Sequence, residues 1–394
     1  MSEIKQGYKQ TKVGIIPEDW EIVKLGKLTT VETGKTPLRS NKQFWDNGTI
    51  NWATTTEVNE TYIVSTNEKI TNQAVAELKM KILPINTILL AMYGQGKTRG
   101  KVALLRIEST INQAFASIKP NKNYSTNFIF NYLDKSYEKI RDLSHGSNQD
   151  NLNLDIVKAL QIPLPPLKEQ EKIAEILTTW DEAITKQTEL LEAKELQKKA
   201  LMQKLLSGEV RFDGFSDKWK EVRIDKLFDF KKGQELSKEK LEKNGIFECI
   251  LYGELYTTYS EVISEIKSKT NIKEGIKSKI DDILIPASTT TSAIDLAIAS
   301  TIQKDNVLIG GDINILRKKT NNINGEFISK YLTHIKKMEI AKYAQGITII
   351  HLYSKDFKHL KIKLPSLPEQ QKIAEVLSLA DDEINLLKNE LEEL

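Results

Sequence analysis

Residues 91–98, Ala-Met-Tyr-Gly-Gln-Gly-Lys-Thr, come within one position of a phosphate-binding loop and are the nearest approach to a catalytic motif in the chain. That loop requires Gly where Ala91 stands, and it must open a helix whose N-terminus faces the anion. Val102-Ala-Leu-Leu105 follows instead, an apolar run that reads as a strand, so nucleotide binding is not expected. Methyl transfer to a base amino group calls for a Pro-Pro-aromatic strip, but the one Pro-Pro pair, Pro165-Pro166, is followed by Leu167. A nuclease of the Pro-Asp type would need a dipeptide that occurs nowhere in the chain. His145, His334, His351, His359 and Cys249 are scattered without metal-ligand spacing. No catalytic residue, cofactor or metal is expected, and the lone cysteine excludes a disulfide framework.

A second kind of chemistry is better represented. Reading a base edge takes side chains with two hydrogen-bonding groups, and holding a phosphate takes cations, small hydroxyls and free amides. Tyr93, Gln95, Lys97, Thr98, Arg99 and Lys101 put such groups into one short loop between strands. Residues 144–151 form a second polar stretch, with Ser144, Ser147, Asn148 and Gln149 as candidates. Further on, Ser288, Thr289, Thr290 and Thr291 make a hydroxyl-rich loop, and Gln345 and Thr348, with His351 close by, make another. Each of these could equally be a solvated turn. Lys35, Arg39, Lys231 and Lys232 could meet phosphates, although lysines near strand ends also serve as solvated edge blockers.

The elements that must position these loops come from a repeat. Leu164-Pro-Pro-Leu-Lys-Glu-Gln-Glu-Lys-Ile-Ala-Glu-Ile-Leu177 returns as Leu364-Pro-Ser-Leu-Pro-Glu-Gln-Gln-Lys-Ile-Ala-Glu-Val-Leu377, identical at ten of fourteen positions at an offset of 200. Upstream, Pro-Glu-Asp-Trp20 before Val23-Lys24-Leu25 is echoed by Ser-Asp-Lys-Trp219 before Val222-Arg223-Ile224. Trp20 and Trp219 read as core anchors rather than stacking partners for bases. Between these landmarks lie two segments, 34–162 and 233–362, with almost no sequence in common. Alternating apolar runs such as 87–92 and 282–286 predict strands, and 128–133 and 327–334 predict short helices, so each segment is a mixed domain.

After each Leu-Pro, a helix is expected. Proline stops the preceding strand, and Glu in the first turn favours the helix dipole. Ile173, Leu177, Trp180, Ile184, Leu191, Leu201 and Leu205 lie on a 3.5-residue seam interrupted by Gln187, Lys194 and Lys198. In the second copy Ile373, Leu377, Ala380, Ile384, Leu387, Leu391 and Leu394 fill every a/d place, as a helix pairing along its length requires. The expected fold is therefore α+β: two mixed α/β domains separated by two long helices that form an antiparallel coiled coil, with a pseudo-twofold internal repeat. The expected boundaries are 1–163 and 209–363 for the domains, and 164–208 and 364–394 for the helices, the second being shorter. Ser207-Gly208 ends the first helix, since Gly tolerates the left-handed stop.

Charge follows the same division. The net charge of +3 says little, but residues 169–207 and 369–394 together carry −8, leaving about +11 on the rest. Positive charge thus falls on the globular parts, where a phosphate backbone could be met, although a lysine-rich surface alone would look similar. The longest apolar runs, such as 82–92, are broken by Pro84 and Asn86 and are too short to span a bilayer. With no charged and apolar leader, the expected compartment is the cytoplasm.

The repeated Leu-Pro-x-Leu-x-Glu-Gln-x-Lys-Ile-Ala-Glu segments, the ending Lys199-Ala-Leu-Met-Gln-Lys-Leu-Leu-Ser-Gly208, and Val13-Gly-Ile-Ile-Pro-Glu-Asp-Trp20 together resemble the DNA-specificity subunits of type I restriction-modification systems, over essentially the whole chain. The resemblance implies two target-recognition domains, each reading one half of a bipartite site in double-stranded DNA, with the paired helices as spacer. It further implies two DNA-methyltransferase subunits, one docked on each half, and ATP-dependent restriction subunits joining through the complex. The chain itself would be non-catalytic. Glu175, Asp181, Glu182, Asp381 and Asp382, on the expected outer helix faces, are candidate docking residues for the methyltransferase.

Overall fold

The computed structural model describes residues 4–394 apart from Glu60, Gln95, Gly96, 145–150 and Glu235. The chain divides into two compact units, 1–183 and 184–394, so the division falls inside the first long helix, Leu167–Ser207.

In the first unit a five-stranded sheet runs in the order Val31–Thr33, Phe115–Ile118, Ile88–Ala91, Val102–Leu105, Tyr62–Ile63, antiparallel except for the last pair. Its central strands, Ile88–Ala91 and Val102–Leu105, are wholly buried, which explains their unbroken apolar sequence. Beside it, Ile50–Ala53 lies between Thr110–Ile111 and Glu68–Ile70. A two-stranded ladder joins Glu21–Lys24 to Gln161–Leu164, so the strand after Trp20 pairs with the strand that leads into the long helix.

The second unit repeats this plan although its sequence does not. Its five-stranded order is Phe228–Lys232, Ile313–Lys318, Asp282–Pro286, Ser300–Ile302, Val262–Ile263, again with only the last pair parallel. Phe247–Ile250 sits between Leu308–Ile309 and Ser268–Thr270, and Lys220–Arg223 pairs with Lys361–Leu364. Even the tight points recur. A Cβ on Gly34 would come within 1.9 Å of the Ile111 carbonyl oxygen, and one on Gly233 within 1.8 Å of that of Gly310. Glycine is required at both places because two backbones touch there.

The expected short helices are Thr126–Lys135 and Gly325–His334. Each begins at a side-chain cap, Ser125 accepting from the Phe128 amide and Asn324 from the Phe327 amide. Trp20 packs edge-on against Phe128 at 6.3 Å between ring centres, and Trp219 against Phe327 at 6.0 Å, so each tryptophan fastens the start of the strand that follows it to that helix.

Within the second unit the end of the first long helix lies along the second, Leu367–Glu393. Gln187 donates to Glu390, Lys194 pairs with Glu383 and Lys198 with Asp381. The partner's number falls as the first rises, which makes the pair antiparallel. Ile373, Leu377, Ile384 and Leu387 are buried on this seam, as the heptad pattern predicts.

Candidate nucleic-acid interface

In the first unit the described residues between Ile88–Ala91 and Val102–Leu105 include no helix, and those after Lys97 lead into the second strand, so the helix that a phosphate loop must open is not found among them. The ends of the loop are closed by Gly100 N–H donating to the Ala91 carbonyl (2.8 Å) and Ala91 N–H to that of Lys101 (2.9 Å). Gly94 and Gly100 both take positive φ, +142° and +89°, which lets the loop fold back over this short span. The helix Tyr137–Asp142 braces it: Arg141 donates to the Tyr137 hydroxyl, which donates to the Lys97 carbonyl, both at 2.7 Å.

Tyr93 and Lys97 are exposed, Thr98 and Lys101 half-buried, and Arg99 is buried. Gln95 lies outside the described residues, as do Ser147, Asn148 and Gln149. Ser144 is buried and gives its hydroxyl to the Arg141 carbonyl, so it closes a helix end rather than facing solvent. The Leu152 N–H donates to the Met92 carbonyl at 3.0 Å, which ties the chain after the second polar stretch to the start of the first loop. Leu152 is thereby held at the end of the central strand Ile88–Ala91.

The second unit does the same with different residues. Leu352 N–H donates to the Ala287 carbonyl at 2.9 Å, and Ser288–Thr289 pairs antiparallel with Ile350–His351. Gln345 and His351 exchange backbone hydrogen bonds at 2.8 and 2.7 Å, extending the ladder. Ser288 and Thr289, expected in a loop, therefore form a strand. Both are buried, with the Ser288 hydroxyl on Asp312 and the Thr289 hydroxyl on Thr291. The outward groups are Thr290, Thr291, Gln345 and Thr348, with His351 half-buried. Thr291 and Ser292 donate to Asp295, and the Thr291 bond first of all holds that carboxyl below its usual range.

Sequence reasoning missed Tyr353, which stacks under His351 at 5.6 Å and 11° between planes and has the Lys355 ammonium 5.4 Å from its ring centre. The available signal was the spacing His351-x-Tyr353-x-Lys355, an aromatic and a cation two and four residues after a residue already chosen. It also missed Tyr256, which lies near Thr289 and whose pKa is raised by burial.

Several expected phosphate contacts are engaged within the protein. Arg39 forms a two-pronged pair with Glu68, and its guanidinium lies 4.0 Å from the Trp45 ring centre and 5.2 Å from that of Trp52. Lys35 donates to the Leu78 carbonyl at 2.7 Å, and Lys232 lies 3.4 Å from Asp312. Lys231 is exposed. Asp381, expected on an outer helix face, instead turns inward to the buried Lys330 at 2.7 Å. Cys249 is buried, and that burial pushes its thiol up to about 11, too high for a nucleophile. No group of three metal-ligating side chains occurs among the described residues.

Two copies of one α+β frame, each tying a later segment to the end of its central sheet strand and each leading into a long helix, define a duplicated scaffold. The sequence model described as "Type I restriction modification DNA specificity domain" matches residues 17–195 and again 216–394, and the chain belongs to that family. The type I restriction enzyme MjaIX specificity subunit of Methanocaldococcus jannaschii is 36% identical over 194 residues, 47% of this chain and 44% of that protein. That match thus spans less than half of the relative's length. The putative MjaX specificity subunit of the same organism is 25% identical over 412 residues, 99% of this chain and 93% of that protein. Among solved structures, the S subunit of a type I restriction-modification system from M. genitalium gives a TM-score of 0.57 at 19% identity, covering 95% of this chain and 92% of that one. The HsdS subunit of Thermoanaerobacter tengcongensis gives 0.50 at 18% identity, with the same coverage. At these identities the likeness concerns the fold.

Proposed function

We propose that this chain is the DNA-reading subunit of a type I restriction-modification assembly and has no catalytic role of its own. Each unit reads one half of a bipartite duplex site, the first through the loops around 93–101 and 144–151, the second through Thr290, Thr291, Gln345, Thr348 and His351. The long helices set the distance between the halves and dock two methyltransferase subunits, with Glu175, Asp181, Glu182 and Asp382 as candidate contacts. Methyl donor and ATP belong to the partners, the latter to restriction subunits that join through the complex. The working compartment is the cytoplasm.

The observation that carries this reading is the matched pair of closures, Leu152 to Met92 and Leu352 to Ala287, which tie unlike sequences to the end of the equivalent central strand in each unit. Equivalent frames with different surfaces suit two contacts on one duplex that need different bases. Mapping methylated bases in a host that expresses the chain with its cognate methyltransferase tests it. A bipartite motif is expected, and replacing residues 34–162 with another recognition domain should change one half alone. A change in both halves, or in neither, overturns the assignment of one unit to each half.

A further inference from the structure

Among the described residues the most exposed large apolar side chain belongs to Ile347, at 99%. It stands in the segment 346–350, which Gln345 and His351 close by donating their amides to one another's carbonyls at 2.8 and 2.7 Å. Of the isoleucines in that segment, Ile350 packs against the core of the second unit and Ile349 is 49% exposed. Folding therefore accounts for Ile350, in part for Ile349, and not for Ile347.

Turn chemistry does not account for it either. Gly346 supplies the tight point, with φ +132° and the Ile349 carbonyl oxygen 2.0 Å from where a Cβ would stand. The positions after such a glycine favour Asn, Asp, Ser or Gly, and a β-branched apolar residue gives the turn no local hydrogen bond. Single exposed apolar residues are common, and Ile246, 79% exposed in the same unit, is one of them. The setting of Ile347 is different. Gln345 and Thr348 flank it, and the pairing of Thr289 with Ile350 brings a run of hydroxyls beside the segment. His351 stacks on Tyr353, with the Lys355 ammonium near that ring. The acids at this place are already bonded, Asp295 by Thr291 and Ser292, and Asp312 by Ser288. An amide, hydroxyls, an imidazole and an ammonium around one apolar tip suit a phosphate-lined duplex better than the apolar centre of a protein interface.

Ser288–Thr289 with Ile350–His351 forms a two-stranded ribbon, the width that a major groove admits, and the apolar feature of that groove is the C5-methyl of thymine. We propose that Ile347 meets a thymine methyl in the half-site read by the second unit and so selects T·A at that position. This rests on the DNA-reading assignment made above and adds an apolar reader to the polar ones.

Uracil keeps the O4 acceptor and the pairing edge of thymine and lacks only the methyl, so it isolates the contact. Duplexes carrying the mapped site receive uracil for each thymine in turn, in the half that exchange of residues 34–162 leaves unchanged. They are titrated with the complex of this chain and its cognate methyltransferase, and with complexes bearing Ile347→Ala or Ile246→Ala. One position is expected at which uracil weakens binding about fourfold with the parent and with Ile246→Ala, and not at all with Ile347→Ala. Ile347→Ala should also weaken binding to the thymine duplex at least about fourfold, with the salt slope and the melting temperature unchanged. The inference is overturned by a half-site without thymine, by the absence of any uracil penalty, or by a penalty that survives Ile347→Ala. Loss of the methyltransferase from the Ile347→Ala complex on size exclusion would overturn it too, by making the residue a protein contact. Those failures leave the DNA-reading assignment standing; a parent complex that does not prefer the mapped site to an unrelated duplex removes the assignment and this inference together.

Discussion

Gln170 and Gln370 make the same pair of hydrogen bonds in their own units. The Gln170 carbonyl oxygen accepts from the Ser125 amide at 2.9 Å while its amino group donates to the Pro165 carbonyl at 2.8 Å. The Gln370 oxygen accepts from the Asn324 amide at 3.0 Å, and its amino group donates to the carbonyls of Pro365 at 3.0 Å and Asn322 at 3.2 Å. Ser125 and Asn324 are the caps of the short domain helices, so one buried glutamine per unit fixes the start of the long helix to the start of the domain helix. A side chain with both donor and acceptor is needed, which explains why Glu-Gln stands in both copies of the repeat.

Gln370→Ala should lower the stability of the second unit by about 3 kcal/mol, because it leaves buried backbone groups at Asn324 and Pro365 without partners. Gln370→Glu should fall between, since a carboxylate can accept from the amide but cannot donate to the carbonyl. Urea unfolding followed by circular dichroism measures both, and an unchanged midpoint in the alanine variant would show that water replaces the glutamine at no cost.

Lys330 is 2% exposed at its side chain and reaches Asp381 at 2.7 Å, while Lys198 meets the same carboxylate from the first long helix. One acid therefore holds the domain helix and both long helices together in the second unit. Lys330→Ala should cost roughly 2–3 kcal/mol, less than a fully isolated buried pair, because Lys198 still compensates the acid. Lys330→Met, which keeps the stem packed, should recover part of that loss. Equal losses in the two variants would assign the whole effect to charge.

How much of this could be read from residues alone depended on the reach of the determinant. The long helices, the strand at 282–286 and the capped helix at Gly325–His334 follow from local periodicity and turn chemistry, and the 200-residue offset exposed the duplication. The shared topology of the two domains did not, because it depends on pairings such as Tyr62–Ile63 with Leu104 and Leu105, strands of two residues that carry no period. Ser288–Thr289 looked like a turn by composition; its strand partner lies some sixty residues away. Asp381 was assigned to solvent by its heptad place, since nothing local indicates that a lysine from another helix will be buried against it.

Glu261 carries the clearest pH dependence. Burial alone would raise its carboxyl, but the His334 hydrogen bond at 2.5 Å, its own backbone amide and the nearby His334 and Lys330 side chains outweigh that and hold it at about 2. A carboxyl depressed in the folded state stabilises fully above its ordinary value of 4.5, and that contribution is lost as pH falls from 4.5 to about 2. Glu261→Gln should therefore be less stable than the parent by about 2 kcal/mol just above that acid window, with the gap closing as pH falls across it. Unfolding midpoints at pH 7, 4 and 2.5 or thereabouts would check it, and a gap constant with pH would remove Glu261 from the account.

Arg39 and Lys97 separate a structural cation from a DNA-facing one. Arg39 lies over Trp45 and is held by both oxygens of Glu68, which lowers the Glu68 carboxyl and raises the guanidinium pKa, so its charge is already matched inside the first unit. Lys97 is exposed on the loop braced by Tyr137. Each phosphate neutralised adds close to one counterion to the salt dependence of binding. Lys97→Ala in the assembled complex should thus weaken binding on all sequences and reduce the slope of log K against log salt by about one. Arg39→Ala should leave that slope unchanged while lowering thermal stability through the lost packing on Trp45 and Trp52. Filter binding from about 50 to 200 mM salt reads the first effect and a melting curve the second; a slope that moves with Arg39 and not with Lys97 would reverse the two roles.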